Sequence, residues 1–162
     1  MVSRIQQEIK QKRPFGSKAQ EATIGLMRTA DLVRRAVGDI VEPCGITPQQ
    51  YNVLRILRGA GENGLPTLEI AERMIEETPG ITRLIDRLET KRLVSRKRCK
   101  EDRRRVWCRI TPEGLALLDK LDGPIRDADS LALGSLTSKE LTQLVSLLDR
   151  ARSSFQVNRR IQ

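Results

Sequence analysis

The chain has no histidine, and its 162 residues include only one tryptophan, one tyrosine and two phenylalanines. Lack of histidine removes the commonest general base and metal ligand. No glycine-rich phosphate loop and no cluster of metal-ligating spacing takes its place, so nothing assembles a catalytic constellation. The expectation is a protein that is not an enzyme and holds no metal or cofactor. Scarce rings leave few platforms for stacking single-stranded bases. Cysteine is limited to Cys44, Cys99 and Cys108, an odd number at irregular spacing. The start, Met1 to Lys18, is polar and basic without an apolar leader, so free thiols in a reducing cytoplasm are expected rather than a secreted disulfide scaffold. No apolar run approaches the roughly 18 residues that span a bilayer, which argues against a membrane protein.

What is abundant is positive charge, at +9 overall, and it is localised. The first 18 residues carry +4 and the eleven residues Ser95–Arg105 (S-R-K-R-C-K-E-D-R-R-R) carry +5, so the remaining 133 are balanced. Burying such a run would cost several kcal/mol per unpaired cation, by the order of magnitude usual for buried charges. It must face solvent or a polyanion. Its flanks, Leu93-Val94 and Val106-Trp107-Cys108 with Ile110, are apolar and β-type, which makes the cluster the tip of a hairpin. A neutral scaffold carrying a basic arm and a basic loop is the footprint of a nucleic-acid binder. A solvated loop that only aids solubility is the plainer reading.

Residues 1–18, with Pro14 and Gly16, read as a basic N-terminal arm or poorly ordered lead-in. From about Ala19 to Val41, Leu26, Ala30, Val33, Val37 and Ile40 step by four and three, giving an amphipathic helix with a narrow seam. Pro43 and Gly45 end it. Thr47-Pro48-Gln49-Gln50 supplies an N-cap, a proline at the first helical position and a capping-box glutamine for a second helix. A glycine-rich turn, Gly59 to Gly64, follows. Thr67 caps a short third helix through Leu68, Ile70, Ala71 and Met74, and Thr78-Pro79 repeats the cap-plus-proline signal for a fourth, to about Lys91. After the hairpin, Thr111-Pro112-Glu113-Gly114 opens a fifth helix that Gly123-Pro124 should kink or break. A capping box at Thr137–Glu140 opens the last, with Leu141, Leu144, Leu148, Ala151 and Phe155 as its seam. Seams at both ends exceed what one small core can cover, and a second copy would bury them. The alternative is that the terminal helices pack on each other within one chain.

At 100° per residue, Ile81, Leu84, Ile85 and Leu88 of the fourth helix share one sector, and Pro79, Thr82, Arg83, Asp86, Arg87 and Thr90 the other. Arginine is bidentate to guanine, and threonine meets thymine with a methyl or hydroxyl. A short helix, a tight connection at Ile75–Thr78, this helix and a cationic hairpin together make a winged helix-turn-helix, with the helix in the major groove and the hairpin on the neighbouring backbone. The fold class expected is therefore mainly α with a small β-hairpin wing. Its DNA-binding lobe spans 46–111, and its helical dimerisation region comprises 19–45 and 112–162.

Leu68–Ala71, the run T-R-L-I-D-R-L-E-T-K-R-L-V-S-R at Thr82–Arg96, and D-R-R-R-V-W-C-R-I-T-P-E-G at Asp102–Gly114 resemble the MarR family of bacterial transcriptional regulators, over roughly Ala19 to Phe155. The resemblance implies a cytoplasmic, nucleoid-associated homodimer that binds double-stranded DNA at a palindromic promoter, as a repressor relieved by a small anionic or phenolic effector. It implies that Thr78, Pro79, Gly80, Thr82, Arg83 and Arg87 serve the recognition helix. Arg104 of the D-x-R signature would enter the minor groove with Asp102 bracing the wing, and Arg96, Lys97, Arg98, Lys100, Arg103 and Arg105 would touch phosphates. Leu26, Val33, Val37, Leu141, Leu144, Leu148 and Phe155 would serve dimerisation. One departure is Arg92, where relatives often carry glycine, so the helix is expected to lack its usual left-handed terminal residue. Two other readings are a thiol switch through Cys99 and Cys108, Cys99 being flanked by cations, and a protein–protein module that docks an acidic partner.

Overall fold

The computed structural model describes residues 3–98 and 106–159. Seven helices and three short strands follow in order: α1 (Arg4–Glu8), α2 (Lys18–Val41), α3 (Pro48–Ala60), β1 (Leu65–Pro66), α4 (Thr67–Arg73), α5 (Ile81–Thr90), β2 (Val94–Arg98), β3 (Val106–Ile110), α6 (Pro112–Leu133) and α7 (Ser138–Arg159). The chain divides into two compact units, residues 1–125 and 126–162. Mainly helical architecture with a small β wing is the class expected from the sequence.

Side-chain caps explain the starts of α2, α3 and α7. Ser17 Oγ accepts from the Gln20 N–H at 3.1 Å ahead of α2. At α3 the capping box is complete, with Thr47 Oγ1 accepting from Gln50 N–H and Gln50 Oε1 accepting from Thr47 N–H at 3.2 and 3.1 Å. Thr137 and Glu140 repeat it at α7. Each such cap stabilises its helix by about 1 kcal/mol. Gly45, left-handed at φ 78°, ends the short 3-10 turn Glu42–Cys44 that follows α2.

The core of the first unit is built from Val53, Leu54 and Leu57 of α3, Ile70 of α4, Ile85 and Leu88 of α5, Val94 and Cys108 of the wing, and Leu118, Leu121 and Ile125 of α6. The three strands form an antiparallel sheet in the order β1-β3-β2, with Arg96 opposite Cys108 and Lys97 opposite Trp107. In the second unit, Leu141, Leu144 and Leu148 are partly buried and Phe155 is 73% exposed.

Five expectations need correction. The lead-in is not structureless: it holds α1, and the buried Gln6 amide donates to the Gln11 and Arg13 carbonyls, closing the segment on itself. Thr67 does not cap α4, since Pro66 holds the cap position and the Thr67 hydroxyl faces Cys108 Sγ at 3.7 Å. Leu68, placed in the apolar stripe, is 77% exposed. Pro124 does not break α6, because Leu118 and Leu121 before it and Ile125 after it are all buried. That anchorage outweighs the roughly 3 kcal/mol an interior proline costs. Arg92 does not remove the left-handed residue but adopts it, at φ 60°. Its N–H bonds the Glu89 carbonyl and the Leu93 N–H the Leu88 carbonyl, the paired bonds of a Schellman ending.

Nothing in the sequence marks strand β1. Two residues carry no periodicity, and their pairing depends on Gly64, where a Cβ would sit 2.3 Å from the Cys108 carbonyl oxygen.

Candidate nucleic-acid interface

Helix α5 starts two residues later than the Thr78-Pro79 signal suggests. Thr78 Oγ1 donates to the Glu76 carbonyl instead of capping, and Gly80 takes the N-cap position with φ 97°. Thr78, Pro79 and Gly80 therefore form the turn that leads into α5. Two longer-range bonds fix that turn: Asn52 Oδ1 of α3 accepts from the Ile75 N–H at 3.0 Å, and Arg34 of α2 lies 3.5 Å from Glu76.

Burial along α5 follows the helical period. Leu84, Ile85 and Leu88 face the core, while Thr82, Arg83, Arg87 and Thr90 are exposed. Neither Arg83 nor Arg87 has an ion pair or side-chain hydrogen bond among the described residues. Two like charges one turn apart, left without a carboxylate partner, suit an anionic or guanine-bearing ligand. Thr90 is less available than Thr82, because its hydroxyl donates back to the Asp86 carbonyl at 2.9 Å.

Asp86 does not screen those arginines. It pairs instead with Arg96 of β2, Nη1 to Oδ1 at 2.6 Å, and Glu89 takes Arg96 Nε at 2.8 Å with a second contact from Nη2. Hydrogen bonding to Glu89, then to Asp86, holds the guanidinium even more firmly protonated than an ordinary arginine, against the opposing effect of burial. Arg96, expected among the phosphate contacts, is thus engaged by two carboxylates of α5. Strand alternation is the signal that was available: Val94 and Arg96 share the inward face, Ser95 and Lys97 the outward one.

On that outward face Lys97 is exposed, and so is Arg109, which stands opposite Ser95. Arg109 was not among the expected contacts, although the same alternation marks it. The expected tip contacts Lys100, Asp102, Arg103, Arg104 and Arg105, together with Cys99, lie outside the described residues, as does the side chain of Arg98. Cys108 is fully buried, and burial pushes its thiol up despite the Thr67 contact. A buried, poorly ionised thiol is a weak nucleophile, so the switch through Cys99 and Cys108 is not favoured. Among the seam residues, Val37 packs against the chain's own core, Val33 is partly buried and Leu26 is half exposed. No described helix is long and apolar enough to cross a membrane, and the described residues contain no group of metal-ligating side chains.

A helix-turn-helix followed by a two-stranded basic hairpin defines the winged helix class of transcription factors. The sequence pattern of the MarR family matches residues 46–106. The HTH-type transcriptional regulator FarR of Neisseria gonorrhoeae is 31% identical over 109 residues, covering 67% of this chain and 73% of its own. A MarR transcription factor from Planctomyces limnophilus has 41% identity, 84% and 98% coverage of the two chains, and a TM-score of 0.66. The fold is also that of a mutant MarR from Escherichia coli complexed with operator DNA, at 22% identity, 86% and 99% coverage and a TM-score of 0.76. The chain belongs to the MarR family of transcriptional regulators.

Proposed function

We propose that the chain acts as a homodimeric repressor, binding a palindromic promoter site in double-stranded DNA and blocking it sterically. The observation that carries this reading is the pair of exposed arginines, Arg83 and Arg87, which have no ion pair among the described residues, on α5 beside a basic hairpin. Thr82, Arg83 and Arg87 read base edges in the major groove, with Thr78, Pro79 and Gly80 close to the phosphates at the helix start. Lys97 and Arg109 meet the backbone from the outward face of the wing. The cationic tip completes the contact: Arg104 enters the minor groove, Asp102 braces it, and Arg98, Lys100, Arg103 and Arg105 meet phosphates.

Residues 46–111 serve as the DNA-binding domain and 1–18 as a basic arm. Residues 19–45 and 112–162 dimerise through Leu26, Val33, Leu141, Leu144, Leu148 and Phe155, with Val37 backing the seam. The protein works at the nucleoid in the cytoplasm as a binding protein rather than an enzyme, and a small anionic or phenolic molecule releases it, as is typical of the family.

The test is duplex selection with the purified chain, followed by titration of the selected site. Two α5 helices one DNA turn apart predict half-sites centred about 10 base pairs apart. The logarithm of the affinity should fall with that of salt at about 0.9 per phosphate neutralised. Equal binding to a scrambled duplex would reject the proposal.

A further inference from the structure

Arg96 is the residue whose observed setting departs most from a role in direct contact. Its guanidinium lies between two carboxylates of α5, spaced i and i+3, and its side chain is 28% exposed, less than that of either partner. One cation between two anions leaves this point of the surface with a net negative charge, an unfavourable place for a phosphate. The three contacts use Nε, Nη1 and Nη2 together, so the fork is held in one orientation.

Its location suggests what that orientation is for. Only Lys91, Arg92 and Leu93 separate α5 from β2. The Schellman bonds fix the end of the helix, and Val94 is buried at the base of the strand. Beyond Val94, the side-chain bonds from β2 to α5 among the described residues are those of Arg96. At about 3.3 Å per residue, Val94 to Arg98 is a lever of roughly 13 Å, so a tilt of about 10° at its base displaces its end by about 2 Å. Hydrogen bonds to a nucleic-acid backbone do not survive a shift of that size.

We propose that Arg96 is a positioning residue for operator binding. Held by Asp86 and Glu89, it fixes the angle between α5 and the wing so that base reading and wing contact occur in a single register. The inference rests on the operator-binding reading above and adds to it a device by which the two halves of the interface are aligned.

A double-mutant cycle on the full-length chain and its selected duplex tests this. One axis is Arg96→Met, which keeps the stem and removes the charge. The other is a wing-neutralised chain carrying Lys97→Ala, Arg103→Ala and Arg104→Ala. In the native background Arg96→Met should weaken binding about 10-fold with the salt slope unchanged, and in the neutralised wing less than about 2-fold, because nothing remains to be aimed. Glu89→Gln, which leaves the Asp86 pair intact, should repeat the pattern at about 3-fold if Arg96→Met fails to fold.

Additive losses with a salt slope lower by about 0.9 would make Arg96 a phosphate contact and overturn the proposal. So would a lowered melting temperature with unchanged affinity of the folded fraction, which marks a stabilising role alone. Failure of the unsubstituted chain to prefer its selected duplex would instead reject operator binding itself.

Discussion

Thr111 and Arg92 lock the end of α5 to the start of α6: the Thr111 hydroxyl donates to the Arg92 carbonyl at 2.7 Å, and the same oxygen accepts from the Gly114 N–H at 3.1 Å. Next to it the Thr111 N–H donates to the Leu93 carbonyl at 3.1 Å. One threonine therefore closes the base of the wing and caps the following helix, while Arg92 carries the backbone turn that makes this possible.

Arg92 holds its left-handed conformation without the freedom of glycine. Such a conformation costs an L residue about 1 kcal/mol, and the Arg92 carbonyl, not its side chain, makes the contact with Thr111. Arg92→Gly should therefore stabilise the fold by up to about 1 kcal/mol, raising the melting temperature by a few degrees. Thermal unfolding by circular dichroism checks it; a lower melting temperature would show that the arginine side chain contributes more than its backbone strain.

Two glycines should respond oppositely to alanine. A Cβ on Gly114 would lie 2.4 Å from the Leu93 carbonyl oxygen, whereas one on Gly59, exposed in α3, meets nothing within 4 Å. Gly114→Ala must push the wing base away from α6 and should destabilise by about 2 kcal/mol or more. Gly59→Ala should stabilise by about 0.5–1 kcal/mol. Urea midpoints with unchanged slopes would separate the two effects.

The start of α7 depends on pH. Hydrogen bonds from the Thr137 backbone and hydroxyl hold the Glu140 carboxyl below the ordinary glutamate value of 4.5. Because the folded value is the lower one, the contribution of this cap is complete above 4.5 and is lost as pH falls through the depressed value. Nuclear magnetic resonance should show the Thr137 amide titrating below pH 4.5, and Glu140→Gln should abolish that titration while keeping the helix. An amide that titrates above 4.5 would contradict the bond.

Cys108 should be silent toward thiol reagents in the native protein. It is fully buried opposite Arg96, with its thiol pushed up. With Cys44 and Cys99 replaced by serine, labelling by a disulfide reagent should require global unfolding and should track the urea transition. Fast labelling in native buffer would reopen a redox role for the wing.

The sequence by itself determined helices α2 to α7, the caps of α3 and α7 and the basic hairpin, because each rests on interactions a few residues apart. Thr47 with Gln50, Thr137 with Glu140, and the period that turns Leu84, Ile85 and Leu88 inward need no distant partner. The MarR resemblance was likewise carried by contiguous runs. The start of α5 was misread although it too is local, since Thr78-Pro79 resembles a cap but Gly80 holds the left-handed position. Only the tertiary structure decided the rest. Strand β1 exists because Gly64 lets Cys108 approach, Pro124 stays helical because the core holds both sides of it, and Arg96 faces two carboxylates because β2 returns along α5. Each depends on groups brought together by folding, and a cation's role depends on which charges surround it, which its own position in the chain does not record.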